Sequence, residues 1–343
     1  MSWVDTTYEI AMKALFRSKL KETKGNQLFG EYESIRNSLV KDNFFAEIKA
    51  KEPDLSDHSQ KHIQDVLERA YKVIGDKEFK NFTPHEIYCL AMMILFHDVG
   101  NIFGRNGHAS IEKISEVYNR YRANHSNYRN EKRVIALGAS AHSGKARDGS
   151  KDTLRFIKEG NIEGNKVNLL ELSAILRFAD ELAEGKQRTC SFLLDTKRYK
   201  KGSLIYQKYA KITTIDIDRA GERINISYEI NVSKKFNKKE QEEIAELLRF
   251  TYYRASKLDI ERRYTKHYSE IVKKFKSVSV AYFFSVDEIP IDLNLKSIVF
   301  EDKYPMPDLE FNDDATVALY NSIKEDCNDY DTDNLINLIK SKT

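Results

Sequence analysis

Residues 88–98 read YCLAMMILFHD: nine apolar side chains in a row, closed by an imidazole and a carboxylate. A stretch apolar on every side predicts a helix at the centre of a core, since an amphipathic surface helix shows a polar face. It is far shorter than the roughly 20 residues needed to span a bilayer. A charge buried without a partner is unfavourable, so His97 and Asp98 need polar neighbours brought in from elsewhere in the chain. The rest of the fold has to deliver those neighbours to the end of this one helix.

The chain offers helices to do so. With 5 prolines and 14 glycines in 343 residues, breaks are few, and Leu, Lys, Glu and Ala recur at helical spacing to about residue 190. In SDHSQKHIQDVLERAYKVI, Ser56 or Asp57 caps a helix whose apolar face is Ile63, Val66, Leu67, Ala70, Val73 and Ile74. TPHE is a capping box, with Thr83 as cap, Pro84 in the first turn and Glu86 reaching back, and it starts the helix that ends at His97-Asp98. After the loop GNIFGRNG, helices are predicted over 108–121, 132–141 and 167–182.

The pattern then changes. KITTIDIDRAGERINISYEINV alternates Ile215 and Ile217, then Ile224, Ile226, Tyr228 and Ile230, about a turn at Ala220-Gly221, which predicts a hairpin. Residues 238–275 read as one long helix or two, VSVAYFF and LKSIVF as strands, and the acidic tail after Asp308 as weakly helical. The predicted fold class is mainly α: an all-helical domain over residues 1–195 and a smaller α+β accessory domain over 196–343.

Composition narrows the function. Lys+Arg 56 against Asp+Glu 53 leaves a net charge of +3, so a nucleic-acid partner is not favoured. Three scattered cysteines, Cys89, Cys190 and Cys327, form neither a disulfide framework nor a thiolate zinc site. The first twenty residues lack the apolar block of a signal peptide, and the expected compartment is the cytoplasm, with no membrane partner.

Imidazoles and carboxylates together suit divalent transition metals. His58 and His62 stand four apart and so share a helix face. His97 and Asp98 end the next helix, His108 follows the glycine-rich loop, and His142 stands in GASAHSGKARDGS. Asp180 sits among Ile175, Leu176, Phe178, Ala179 and Leu182, where a carboxylate needs a buried partner: a metal, or Arg177. His85, His125 and His267 are read as structural or surface residues.

HSQKHIQDVLERA, LFHDVGN and LRFADEL, in that order, resemble the three signature segments of the HD superfamily of metal-dependent phosphohydrolases, over about residues 50–190. The resemblance implies that His62, His97, Asp98 and Asp180 hold a first divalent ion, Mn, Co, Fe, Ni or Mg. His108 and His142 resemble the second-ion ligands of binuclear members, and His58 is a further candidate; Asp98, His108 and His142 are the expected catalytic group. HDVGNIFGRNGHA is similar to the deoxynucleotide triphosphohydrolase form of the motif, although Asn101 stands where a histidine is common there. ADELAEGKQR before a hairpin and a long helix resembles HD proteins of bacterial conflict and signalling systems.

Cations follow each candidate ligand: Arg105 before His108, Lys145 and Arg147 after His142, Lys186 and Arg188 after Asp180. They are the expected phosphate contacts, and Phe103, Tyr118, Tyr121, Tyr128 and Phe156 are available to a base or sugar. The expected activity is hydrolysis of a nucleotide, foremost a (deoxy)nucleoside triphosphate, or alternatively of a cyclic or oligonucleotide phosphodiester, with a second nucleotide as activator. A non-catalytic nucleotide sensor is the second reading. The third is an interaction protein that forms a homo-oligomer through Ile244, Leu248, Ala255, Leu258, Tyr268, Ile271 and Phe275.

Overall fold

The computed structural model describes residues 3–51, 59–122, 128–190, 194, 196, 199, 203–302 and 331–343. The chain forms two compact units, Met1–Ala183 with Tyr264–Lys274, and Glu184–Arg263 with Phe275–Thr343. Composition changes near residue 195, whereas the contacts divide at 183/184, because the last turn of the Asp180 helix buries Leu182 and Ala183 in the first unit. The return of 264–274 to that unit is non-local packing with no local pattern to announce it.

The first unit holds α1 (Thr7–Lys19), α2 (Glu22–Lys41), α3 (Phe44–Lys51), α4 (Gln60–Ile74), α5 (Asp76–Phe79), α6 (Pro84–Phe96), α7 (Ile111–Arg122), α8 (Tyr128–Ser140) and α9 (Leu169–Leu182), with a small antiparallel hairpin of β1 (Gly160–Ile162) and β2 (Asn165–Val167). α6 is the core helix: every residue but Glu86 is buried, and it packs against α1, α2, α4, α8 and α9. The segment Pro84–Phe103 is apolar enough by length and composition to cross a membrane, but 83% of its apolar stretch is buried inside the protein. Its start is the predicted capping box, with Thr83 Oγ1 accepting from Glu86 N and the Glu86 carboxylate accepting from Thr83 N. α4 begins later than expected, capped by Ser59 accepting from Lys61 N; Ser56 and Asp57 lie outside the described residues. Its apolar face is the predicted one and carries His62 with it into the core.

Buried polar anchors fix the helices that matter for the site. Glu131 of α8 accepts from Tyr88 Oη of α6 at 2.8 Å, from Arg122 of α7 at 3.2 Å, and from Tyr118 Oη. A Cβ at Gly138 of α8 would lie 2.7 Å from Met93 Sδ and 2.8 Å from Leu169 Cδ1, so the missing side chain lets α8 sit close to α6 and α9. At the start of α9 the buried Glu171 carboxylate accepts from Ser269 Oγ at 2.6 Å, Glu270 N at 3.0 Å and Ile271 N at 3.2 Å, tying the returning segment to the helix.

The second unit contains α10 (Leu204–Ile212), β3 (Thr213–Asp218), β4 (Arg223–Val232), most of α11 (Lys238–Lys266), β5 (Ser277–Val286), β6 (Ile289–Ile291), β7 (Ile298–Phe300) and α12 (Thr332–Lys340). β3 and β4 are the predicted hairpin, with Ile215 opposite Ile226 and Ile217 opposite Ile224. β4 pairs parallel with β5, from Ile224 opposite Val278 to Val232 opposite Val286, and α11 lies in the crossover such a pair requires. The sheet order is β3-β4-β5-β6, with β7 also paired to β5. Ile224, Ile226, Tyr228, Val278, Val280 and Tyr282 form the buried face. Leu248, Ala255 and Leu258 of α11 are buried within the chain, and Thr251 Oγ1 of the same helix meets Tyr282 Oη of β5 at 2.9 Å.

Replacing Glu171 by Leu strands three donors in a buried place, each worth roughly 1–3 kcal/mol when unsatisfied. Glu171→Leu is expected to lower the thermal unfolding midpoint by several degrees while Glu171→Gln, which keeps an acceptor, loses less; equal midpoints by calorimetry would contradict the anchoring role.

Candidate metal centre

α6 ends at Phe96 with His97 as its C-cap, and Asp98 begins a pair of 3-10 turns, Val99–Phe103 and Arg105–Gly107. These turns fold the chain back on itself. A Cβ at Gly100 would collide with the carbonyl oxygens of Gly107 and His108, and one at Gly107 would stand 2.6 Å from Gly100 O. Two glycines thus permit the backbone contact that returns His108 to Asp98, with Nε2 2.7 Å from Oδ1. The turn between them sits at Gly104, whose φ of 85° suits glycine.

Four elements converge here. α4 supplies His62, the end of α6 supplies His97 and Asp98, the residues after α8 supply His142, and α9 supplies Asp180. His62 Nε2 stands 3.2 Å from Asp180 Oδ1 and 3.4 Å from Asp98 Oδ2; His97 Nε2 stands 3.2 Å from Asp98 Oδ2 and 3.6 Å from Asp180 Oδ1. On the other side of Asp98, His142 Nε2 is 3.0 Å from His108 Nε2 and 3.8 Å from Asp98 Oδ1. The ligand atoms form two groups able to hold an ion: His62, His97 and Asp180, and Asp98, His108 and His142.

The chemistry of these donors fits a cation. His97 Nδ1 lies 2.7 Å from Ile94 O, and His142 Nδ1 2.6 Å from Ala139 O. A carbonyl only accepts, so each Nδ1 carries the proton and a neutral ring turns the Nε2 lone pair into the site. The buried Nε2 of His97 faces the carboxylate oxygens of Asp98 and Asp180, an approach that is favourable only with a positive charge between them, a proton or a metal ion.

The electrostatics agree. Burial opposes the charged form of His97, but the Asp98 charge and hydrogen bonds to Asp180 and Asp98 overcome it and hold its pKa well above the ordinary imidazole value. Burial likewise opposes the Asp180 carboxylate, and hydrogen bonds from His62 and His97 hold its pKa well below the usual range. His142 goes the other way, pushed down to about 3 by burial and by the neighbouring His108 and His97, so it is a neutral donor at physiological pH.

The centre is closed on one side and open on the other. The side chains of His62, His97, Asp98 and His142 are sealed, whereas those of Asp180 and His108 are 27% and 23% exposed. Arg105, Lys145 and Arg147 are exposed on the loops around His108 and His142. Lys186 and Arg188 fall in the second unit, where Lys186 pairs with Glu229 at 2.7 Å and Arg188 stands 3.8 Å from Glu184. His58 and His125 lie outside the described residues. Of the aromatic candidates, Phe103 and Phe156 are exposed, while Tyr118 is buried against Glu131.

Of the two partners expected for Asp180, a metal or Arg177, Arg177 is turned elsewhere. Its Nη1 donates to Thr153 Oγ1 at 2.9 Å and its guanidinium lies over the Tyr264 ring at 4.4 Å, while the Asp180 carboxylate meets imidazoles. Thr153, Tyr264 and the two facing glycines had no sequence signal beyond their residue type.

Over residues 52–255, more than half of the chain, the sequence matches the HD-CE family, and the chain belongs to it. No curated protein and no solved structure matches.

Ligation requires an unprotonated Nε2, so an ion at the first group competes with the proton on His97. In the metal-free protein the raised value of His97 stabilises the fold below about pH 6.5, and that contribution is lost as pH rises through the raised value. The rise in thermal midpoint produced by manganese is therefore expected to grow as pH increases above about 6.5; a rise independent of pH would contradict the ligand role of His97.

Proposed function

We propose that this HD-CE protein is a metal-dependent phosphohydrolase whose substrate is a nucleotide, with (deoxy)nucleoside triphosphates as the leading class. The observation that carries the reading is the division of one carboxylate: Asp98 turns Oδ2 to His62 and His97 and Oδ1 to His108 and His142. A divalent ion held there would polarise a phosphoryl oxygen and lower the pKa of a bound water to about 7.

In this reading His62, His97 and Asp180 would hold one ion and His108 and His142 the other, with one oxygen of Asp98 turned to each group. The sealed imidazoles exclude water from the back of the centre, and a phosphate reaches it past the exposed edges of Asp180 and His108. Arg105, Lys145 and Arg147 neutralise the remaining phosphate charge, Arg105 by its two-pronged geometry. Phe103, exposed in the same glycine-braced turn as Arg105, offers a base a flat apolar face.

The test is product analysis by ion-exchange chromatography after incubation with manganese and a panel of nucleoside and deoxynucleoside triphosphates, cyclic nucleotides and short oligonucleotides. The wild type is expected to convert triphosphates and Asp98→Ala none, with its helicity unchanged. Conversion of phosphodiesters alone would redirect the substrate class; equal turnover by Asp98→Ala would overturn the site.

A further inference from the structure

His142 is a candidate ligand carried by backbone that has already left its helix. It lies just past the end of α8, where the backbone bonds stretch: Ala141 N to Gly138 O is 3.3 Å and His142 N to Ala139 O is 3.4 Å. The carbonyls of a last helical turn have no partner within the helix and need one from outside. For Ala141 O, whose peptide unit joins directly to His142, that partner is Thr153 Oγ1 at 2.5 Å.

The hydroxyl that donates to Ala141 O has lone pairs left, and one accepts from Arg177 Nη1 at 2.9 Å. Thr153 and Arg177 are both buried. Arg177 is held in turn, its guanidinium over the Tyr264 ring. Tyr264 Oη accepts from Leu154 N at 3.0 Å and donates to Asp152 Oδ1 at 2.8 Å, and Tyr268 Oη donates to the same carboxylate at 2.8 Å. The segment 152–154 is thereby fixed at three consecutive residues. Arg177 stands one helical turn before Asp180 on α9, a helix further anchored by Glu171.

We propose that Arg177 and Thr153 are positioning residues for the second ion. The relay Arg177 to Thr153 to Ala141 O transmits the rigidity of α9 to the peptide that carries His142. One helix then provides a ligand to the first ion directly and sets a ligand of the second through two hydrogen bonds. This rests on the reading of Asp98, His108 and His142 as an ion site. Metal–nitrogen bonds of about 2.0–2.1 Å tolerate only a few tenths of an ångström, so loosening this peptide is felt at the metal.

Thr153→Val keeps the shape and removes both hydrogen bonds; Thr153→Ser keeps the hydroxyl. Cobalt titration of the full chain, followed by metal analysis and by visible absorption, reads each ion without requiring turnover. The wild type is expected to bind two equivalents. Thr153→Val should bind the second roughly 10–100-fold more weakly, with loss of its absorption, while the first equivalent binds as in the wild type, and Thr153→Ser should restore the second.

Should Thr153→Val not fold, Arg177→Met removes the relay's first donor, and the same weakening of the second equivalent is expected. Two equivalents with unchanged affinity and spectrum in the relay variants would overturn the relay alone. A wild type that binds one equivalent overturns the second-ion reading and the relay with it, and one that binds none overturns the metal centre as a whole.

Discussion

The Asp98 carboxylate, 2% exposed and flanked by four imidazoles, is the constraint around which the first unit is built. A buried carboxylate is unfavourable unless its charge is met, and the partners must reach it from separate helices because one helix face cannot surround it. α6 is therefore encased by α4, α8 and α9, each of which brings a polar residue to the same end of an otherwise apolar helix. Positive charge between the donors, a proton on His97 or a divalent ion, is what makes the arrangement favourable.

The supporting architecture reflects that demand. Glu131 joins α6, α7 and α8 through hydrogen bonds from Tyr88, Tyr118 and Arg122, away from the centre itself. Gly138 brings α8 close to α6 and α9, and Gly100 and Gly107 allow the turn that places His108 on Asp98. Glu171 and Arg177 hold α9 against residues 264–274, which arrive from more than eighty positions along the chain. A centre whose donors must stay within tenths of an ångström sits on helices that are fastened at several points.

Much of this was readable in the amino-acid order because its causes are local. The TPHE capping box, the continuous apolar run of α6 and the alternation of Ile215, Ile217, Ile224 and Ile226 each follow from the chemistry of a few adjacent residues. His97, Asp98 and Asp180 each close or interrupt an apolar run, and His62 joins them through the order of the three segments that resemble the HD superfamily. What escaped was non-local: the return of 264–274, the seat of Arg177 over Tyr264, and the shared placement of His108 and His142 about one oxygen of Asp98. Arg177 illustrates the limit, for its spacing from Asp180 suggests an ion pair, and only its place in three dimensions turns it to Thr153. The α4 start shows the same at smaller scale, where Ser59 caps a helix whose expected caps are Ser56 or Asp57.

The central claim is that two groups of donors share Asp98 to hold divalent cations. It is tested most directly by anomalous diffraction from crystals grown with manganese, recorded on either side of the manganese edge. Two anomalous peaks are expected, about 3.5–4 Å apart, one beside His62, His97 and Asp180 and one beside His108 and His142, with Asp98 between them. The absence of anomalous density at these residues, with manganese present at saturating concentration, would contradict the account.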